Sequence, residues 1–276
     1  MRIIITHASR GLGGRRQNWY RGFIPNPPPR LDSKSNPTST PTQEPAAMQN
    51  KDSSVQATFN SVARRYDLIN RLMTLNSHQI WCREVAAKAT SFPGSSYLDL
   101  ATGTGVIARE IRTQYPAAKI IGADFSESML DLARQINGGE GIDWQFADAH
   151  ELPFADESFD AVTHGYLLRN VSDLDKVLAE QFRVLKPGGM VSALESSPPA
   201  GPLTPVIRLG MRIVIPTLGQ FIGKDRPSYE YLVDSTLGFL SPDALRERFI
   251  KAGFEDVQVK AKYLNTNMIW SARKPA

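Results

Sequence analysis

Tyr97-Leu98-Asp99-Leu100-Ala101-Thr102-Gly103-Thr104-Gly105 reads as a buried strand running into a glycine turn, and Val106 to Gln114 behind it read as a helix start. Strand, tight loop and helix in that order constrain the chain to an α/β unit. Glycine stands where the backbone passes close to a ligand or takes positive φ. The loop amides at the helix N-terminus then form a seat for an anionic group. Loops of this kind also occur with nothing bound, so the glycines alone do not define a site.

The acids that follow sharpen the reading. Lys119-Ile120-Ile121-Gly122-Ala123-Asp124 is a second apolar strand, ending in a carboxylate that can accept two hydrogen bonds from a ribose diol. An acid about 20 residues beyond a glycine loop is the nucleotide-binding expectation of dinucleotide folds. Asp148 follows the strand-like Ile142-Asp143-Trp144-Gln145-Phe146 and precedes Leu152-Pro153-Phe154, where it can take an adenine amino group between apolar neighbours. Each acid alone also reads as a helix N-cap or a turn residue. Asp99, Asp124 and Asp148 together, at successive strands, are harder to read as three separate caps or turns.

Periodicity extends the pattern: strand 97–101, helix 105–114, strand 119–124, helix 126–136, strand 142–146, strand 159–165, helix 173–185 and strand 189–195. A helix over 242–252 and a closing pair of strands at 255–263 and 267–273 complete it. Strands separated by helices predict a doubly wound, mostly parallel sheet. Its ligand sits at the carboxyl ends of the strands, near the switch in strand order. Lys186-Pro187-Gly188-Gly189 reads as a helix-ending turn. Val55, Phe59, Val62, Tyr66, Ile69 and Met73 recur at spacings of four and three, which predicts a helix ahead of the sheet. Residues 200–240 break the alternation. Leu203, Val206, Ile207, Met211, Val214, Ile215, Leu218, Phe221 and Ile222 make them strongly apolar, with Arg208 and Arg212 one turn apart. Those arginines and Pro216 argue against a membrane span. The segment reads as an apolar helical cap insertion, packed on its own core or turned toward a lipid surface.

The glycine loop lacks the Gly-x-Gly-x-x-Gly form of nicotinamide enzymes and resembles the AdoMet loop of class I methyltransferases. Five segments narrow the likeness: Phe59-Asn60-Ser61-Val62-Ala63-Arg64-Arg65-Tyr66-Asp67, Asp148-Ala149-His150-Glu151-Leu152-Pro153-Phe154, Leu168-Arg169-Asn170-Val171, Arg183-Val184-Leu185-Lys186-Pro187-Gly188-Gly189 and Ser228-Tyr229-Glu230-Tyr231-Leu232. Together they resemble the UbiE/MenG-type ubiquinone/menaquinone biosynthesis C-methyltransferase family over residues 55–274. The resemblance implies a Rossmann-like class I methyltransferase fold with an N-terminal helical lid, and S-adenosyl-L-methionine (AdoMet) as cofactor. The residues it implies for AdoMet are Tyr66, Asp99, Thr102, Gly103, Gly105, Asp124, Phe125, Met129, Asp148 and Ala149. Tyr66 is read either as facing AdoMet or as anchoring the lid in the core. The implied reaction is methylation of a ring carbon of a polyprenylated benzoquinol or naphthoquinol.

In such chemistry alignment is worth about 7–11 kcal/mol, and a positioned base adds ~10²–10⁴ in rate. Arg169 and Asn170 match the family's Arg-Asn pair. Arg169 is expected to bind or stabilise the phenolate, because a guanidinium is a poor base. Asn170 is expected to hold the ring oxygen or a water. His164 is the candidate base, with a packed histidine as the alternative, since the family usually has an apolar residue there. Tyr229 and Tyr231 are read as packing or as substrate contacts. No His/Cys/Asp cluster has metal-ligand spacing, and no serine or cysteine triad stands out. Ser196 stands where an aromatic residue is usual, and Leu167 replaces a small one. The tail Asn265-Thr266-Asn267-Met268-Ile269-Trp270 lacks the usual glycine-rich run and histidine. These departures touch the acceptor pocket rather than AdoMet binding. The alternatives are a related enzyme methylating another phenol or small metabolite, and a non-catalytic AdoMet-binding scaffold of a quinone-synthesis complex.

The sequence pI near 9.2 invites a nucleic-acid reading. The charge is badly placed for one. Arg2, Arg10, Arg15, Arg16, Arg21 and Arg30 all precede the first acid, Asp32, and without them 26 basic residues face 28 acids. Nucleic acid is therefore discounted as a partner. Residues 1–24, Arg-rich and acid-free, have the composition of an organelle transit peptide, although Gly11, Gly13 and Gly14 weaken an amphipathic helix. A transit peptide predicts the matrix side of the inner mitochondrial membrane, and its absence a cytoplasmic protein. Residues 2–13 imitate the opening of short-chain reductases, but a proline-rich stretch follows instead of a βαβ unit. Residues 25–50 read as a disordered Pro/Ser/Thr-rich linker, which leaves 51–276 as the methyltransferase domain. Met48 offers an alternative start. Cys82 is the single cysteine, so no internal disulfide forms. No apolar run is long enough to span a bilayer. The expected partners are a lipophilic quinol, a peripheral membrane contact, and a homodimer or quinone-synthesis complex.

Overall fold

The computed structural model of the chain describes residues 74, 77–91, 94–223 and 226–276. The basic leader, the linker, the helix expected over 55–73 and with it Tyr66 lie outside the described residues. The elements are α1 (Ser77–Ala89), β1 (Ser96–Leu100), α2 (Val106–Gln114), β2 (Lys119–Asp124), α3 (Glu127–Gln135), β3 (Ile142–Phe146) and β4 (Phe159–Gly165). They continue as α4 (Leu174–Val184), β5 (Leu185–Ser196), α5 (Thr204–Leu218), α6 (Arg226–Leu237), α7 (Pro242–Lys251), β6 (Glu255–Lys262) and β7 (Asn267–Arg273). The sheet order is β3-β2-β1-β4-β5-β7-β6. β1 to β5 pair in parallel, while β7 runs antiparallel to both β5 and β6. The order switches direction between β1 and β4, which opens a crevice at their carboxyl ends.

All five residues of β1 are buried, as both faces of a parallel sheet must be covered. Leu98, Leu100, Val162 and Val191 share one core with Val177 and Leu178 of α4 and Leu245 and Phe249 of α7. Tyr97, Ile120, Ala161 and Met190 share the other with Trp81 and Val85 of α1 and Ile107 and Ile111 of α2. Cutting a fully buried leucine such as Leu178 back to alanine costs roughly 2–5 kcal/mol. Side chains cap three helices at their first-turn amides: Ser126 accepts from Met129 N–H, Asp173 from Lys176 N–H and Ser241 from Ala244 N–H.

Lys186-Pro187-Gly188-Gly189 does not end a helix. α4 stops at Val184, and the segment opens β5, where Gly188 at φ 75 donates its N–H to the Lys274 carbonyl. The tight backbone there serves the pairing with the C-terminal strand.

Between β5 and α7 stand α5, a π-helical turn over Gly219–Gly223, and α6. α6 buries Tyr229, Val233 and Thr236, and a Cβ on Gly219 would lie 2.3 Å from the Tyr229 ring. Pro216 is the one buried residue of α5. Leu203, Val206, Leu209, Ile213, Val214 and Phe221 are exposed, Phe221 by 79%. The cap therefore packs through α6 and leaves the apolar face of α5 outward. Among the described residues no helix is long and apolar enough to cross a membrane.

Candidate active site

A cavity opens at the carboxyl ends of β1 to β4. Its floor is the loop after β1. Gly105 stands at the N-cap of α2 with φ 83 and offers no side-chain cap. Asp99 supplies that cap from inside the sheet. Its Oδ2 accepts the Ala108 N–H at 3.2 Å and the Thr102 hydroxyl at 2.6 Å, while Oδ1 accepts the Thr163 hydroxyl at 2.8 Å. Burial pushes the Asp99 carboxyl up to about 6, with those donors pulling the other way. Ala101 before the glycines is held at φ 50, a conformation costing of order 1–3 kcal/mol outside glycine. Gly105 does not line the cavity; a Cβ there would lie 2.3 Å from the Trp144 ring, so its role is close packing.

Asp124 ties this loop to β2. Oδ2 accepts the Gly103 N–H at 2.7 Å and Oδ1 the Ser126 N–H at 2.9 Å. Burial raises its carboxyl to about 6 as well. Asp148 is the opposite case: a hydrogen bond from His150, with Nδ1 2.7 Å from Oδ1, holds it below the usual carboxylate range. His150 Nε2 accepts the Asp173 N–H at 3.3 Å, which leaves Nδ1 as the protonated nitrogen that donates to Asp148. Asp99, Thr102, Gly103, Asp124, Phe125, Met129, Asp148 and Ala149 all line the cavity. The set fits AdoMet. A Cβ on Gly103 would meet nothing within 4 Å, so the floor there is open to a ligand. Asp124 and Asp148 present acceptors at consecutive strand ends, Phe125, Met129 and Ala149 present apolar surface, and the α2 N-terminus opens on the cavity at Val106 and Ile107, where its dipole favours an anionic group.

The opposite wall leaves β4. Tyr166 is held at φ 59, with its N–H donating to the Leu194 carbonyl at 2.7 Å and its hydroxyl to Asn267 Oδ1 at 3.0 Å. Its carbonyl accepts Asn170 Nδ2 at 2.7 Å, and Asn170 Oδ1 accepts the Tyr231 hydroxyl of α6 at 3.0 Å. Asn170 thus lines the cavity while its amide joins wall to cap. Ser196 joins them a second time, with Oγ 3.1 Å from Thr236 Oγ1.

Two expected catalytic groups are not brought to the cavity. Arg169 does not line it: Nη1 lies 2.7 Å from Glu195 Oε1, and the guanidinium carbon lies 4.8 Å from the Tyr166 ring centroid. Glu195 Oε2 also accepts the Leu168 and Arg169 N–H groups, so the pair shapes the loop from behind. His164 is wholly buried beside Leu100 and Ala193, and both ring nitrogens are without hydrogen-bond partners. Burial alone pushes its pKa down to about 3. It is a neutral packed histidine, on the strand face it shares with Val162.

α1, which no motif in the sequence marks, brings His78 and Cys82 to the cavity beside Tyr166. The His78 and Tyr166 rings stack with centroids 5.8 Å apart and planes 15° from parallel. Cys82 Sγ lies 3.5 Å from His78 Nε2. The available signal was their spacing of four, one helical turn, on the stripe that continues as Val85, Ala86 and Ala89. Nor does the sequence single out His150 and Glu195. An acid inside Val191-Ser192-Ala193-Leu194-Glu195 demands a buried cation or amide cluster, and that was the legible sign.

A doubly wound sheet with this strand order, a glycine floor and acids at its strand ends defines a class I AdoMet-dependent methyltransferase. A SAM-dependent methyltransferase structure from Thermotoga maritima matches with TM-score 0.57 at 20% identity, covering 80% of this chain and 99% of that one. Phosphoethanolamine N-methyltransferase 2 of Haemonchus contortus, solved with S-adenosyl-L-methionine, matches with TM-score 0.54 at 19% identity, covering 71% of this chain and 52% of that one. At such identities the likeness shows the fold. The chain belongs to the ubiE/COQ5 methyltransferase family, whose model matches residues 47–269. It is similar to the ubiquinone/menaquinone biosynthesis C-methyltransferase UbiE of Desulfotalea psychrophila, 48% identical over 213 residues, covering 77% of this chain and 87% of the relative. It is also similar to the demethylmenaquinone methyltransferase of Deinococcus radiodurans, 42% identical over 209 residues, covering 75% and 87%. The protein is a methyltransferase and its cofactor is AdoMet.

Proposed function

We propose that the chain methylates a ring carbon of a polyprenylated benzoquinol or naphthoquinol. The carrying observation is one cavity lined both by the carboxylates Asp99, Asp124 and Asp148 and, toward β4, by His78, Tyr166, Leu167 and Val171, with the apolar cap tied to its wall through Tyr231 and Asn170. Bound AdoMet supplies a methyl group already activated on a sulfonium. Asp124 accepts the ribose diol, Asp148 the adenine amino group, and the α2 N-terminus faces the carboxylate. Tyr166 and Leu167 orient the acceptor ring, while Asn170 keeps the wall and cap joined and water out. The purified chain, given AdoMet and a reduced short-prenyl demethylquinol, is expected to yield the C-methylated quinol by mass spectrometry. Methylation of small phenols alone would favour the related-metabolite reading, and AdoMet binding without any methylation the scaffold.

The outer face of α5 supports peripheral contact with an anionic bilayer. Arg208 and Arg212 accompany the exposed apolar residues, and no acid occurs from Ser197 to Lys224. A second copy of the chain, or another member of a quinone-synthesis complex, is the competing occupant. The acid-free leader supports the matrix side of the inner mitochondrial membrane. Residues 1–50 fused to a fluorescent reporter are expected to enter mitochondria, and a cytoplasmic distribution would refute that address.

A further inference from the structure

The reaction calls for a group that removes a phenolic proton, and neither Arg169 nor His164 stands where it can do so. We propose that His78 is that general base, a role that rests on the quinol reading above. Among the described residues, the titratable side chains lining the cavity fall into two groups by the strand order β3-β2-β1-β4 and by the stack of His78 on Tyr166. Asp99, Asp124, Asp148 and His150 belong to the donor end, where each is engaged in the hydrogen bonds given above. His78, Cys82 and Tyr166 belong to the acceptor end. Of a phenol, a thiol and an imidazole, the imidazole is the commonest general base.

The ring is also held in place. It stacks on Tyr166, and Cys82 Sγ, one helical turn on, lies nearer its Nε2 than its Nδ1, at 3.5 and 4.0 Å. Tyr166 in turn is fixed in a left-handed conformation by Leu194 and Asn267. Strain of that kind persists where the surroundings over-determine a functional geometry. His78 and Tyr166 line the same cavity, so an acceptor ring seated on Tyr166 lies beside the imidazole.

The quinol O–H bond breaks and its proton goes to a ring nitrogen of His78. The electron pair flows through the ring to form the new carbon–carbon bond to the methyl, and the pair of the breaking S–C bond stays on sulfur. The ring carbon then loses its hydrogen as a proton to water, and His78 returns its proton to the oxygen. One proton reaches solvent per turnover and the histidine is regenerated.

The test uses the full-length chain with AdoMet and a reduced short-prenyl demethylquinol. His78→Ala and His78→Gln are compared with the unaltered protein. The role requires kcat to fall ~10²–10⁴-fold in both, with AdoMet affinity by calorimetry unchanged. Added imidazole is expected to restore part of the H78A turnover and none of the H78Q turnover, and a more acidic phenolic acceptor is expected to lose less. Quinol turnover in H78A close to that of the unaltered chain overturns the role alone. So does a loss that imidazole does not relieve and acceptor acidity does not change, which marks a merely packed histidine. If H78A fails to bind AdoMet, H78Q, which keeps bulk and polarity, carries the same acidity comparison. An unaltered chain that binds AdoMet but methylates no quinol overturns the function reading and this role together.

Discussion

Arg169 Nη1 lies 2.7 Å from Glu195 Oε1, with the two side chains 3% and 0% exposed. Glu195 additionally accepts the backbone N–H groups of Leu168, Arg169 and Ser196. The carboxylate therefore holds the acceptor loop as well as the guanidinium. Glu195→Ala is expected to destabilise the protein by about 3–5 kcal/mol, because it strands a buried charge and three amides. Denaturant unfolding with an unchanged slope checks this. Arg169→Ala is expected to slow turnover while AdoMet affinity stays nearly intact, since the pair stands behind the acceptor wall. A large loss of AdoMet affinity would place it at the donor end instead.

Asp124 is expected to set the pH dependence of AdoMet binding. Burial raises its carboxyl from 3.8 to about 6. Hydrogen bonds donated by a ribose diol favour the ionised form, so binding pulls the pKa down and affinity rises as pH climbs through about 6. Asp124→Ala is expected to weaken AdoMet and to flatten that dependence. Calorimetry across the window decides, and unaltered affinity in the variant refutes the ribose contact.

His164 is expected to make the fold acid-sensitive. Its pKa is about 3 in the fold against 6.5 in the unfolded chain. Between those values the unfolded state holds a proton that the folded state lacks, so stability falls as pH drops from 6.5 toward 3. The linked loss is of order 3 kcal/mol by pH ~4. Asp99 and Asp124, raised from 3.8 to about 6, act in the opposite sense, gaining stability as pH falls through about 6. Comparison with His164→Leu separates the two, since the variant is expected to lose less stability on acidification.

The outer face of α5 offers a separable test. Val206→Glu with Ile213→Glu places charge on two exposed positions and touches neither end of the cavity. Flotation with vesicles containing anionic lipid is expected to fall several-fold, while turnover of a short-tailed quinol in solution persists. Undiminished flotation, or a dimer that dissociates in the variant, would assign the face to another partner.

The alternating core was readable because each strand obeys one physical rule. β2, β3 and β4 match the expected 119–124, 142–146 and 159–165 end for end, since period and flanking turns bound them. α1 escaped because its buried stripe runs through His78 and Cys82, which thin the apolar signal that marks a helix face. The donor end was legible as acids at strand ends. The acceptor end was not, because partners far along the chain decide which way Arg169 and His164 point. Glu195 lies 26 residues from Arg169 and turns it inward, and strand alternation puts His164 on the same face as Val162, so that only Gly165 beside it reaches the cavity. Sequence spacing showed which residues cluster near β4 but not which of them face the opening.

Asp99 stores the shape of the glycine floor in the middle of the sheet, out of reach of anything that happens at the rim. Segments such as the Asn265–Asn267 stretch and the 200–240 insertion meet the opposite wall instead, through Tyr166 and Asn170. A molecule divided in this way can exchange one aromatic guest for another by remodelling its ceiling, while the seat for the nucleoside stays untouched.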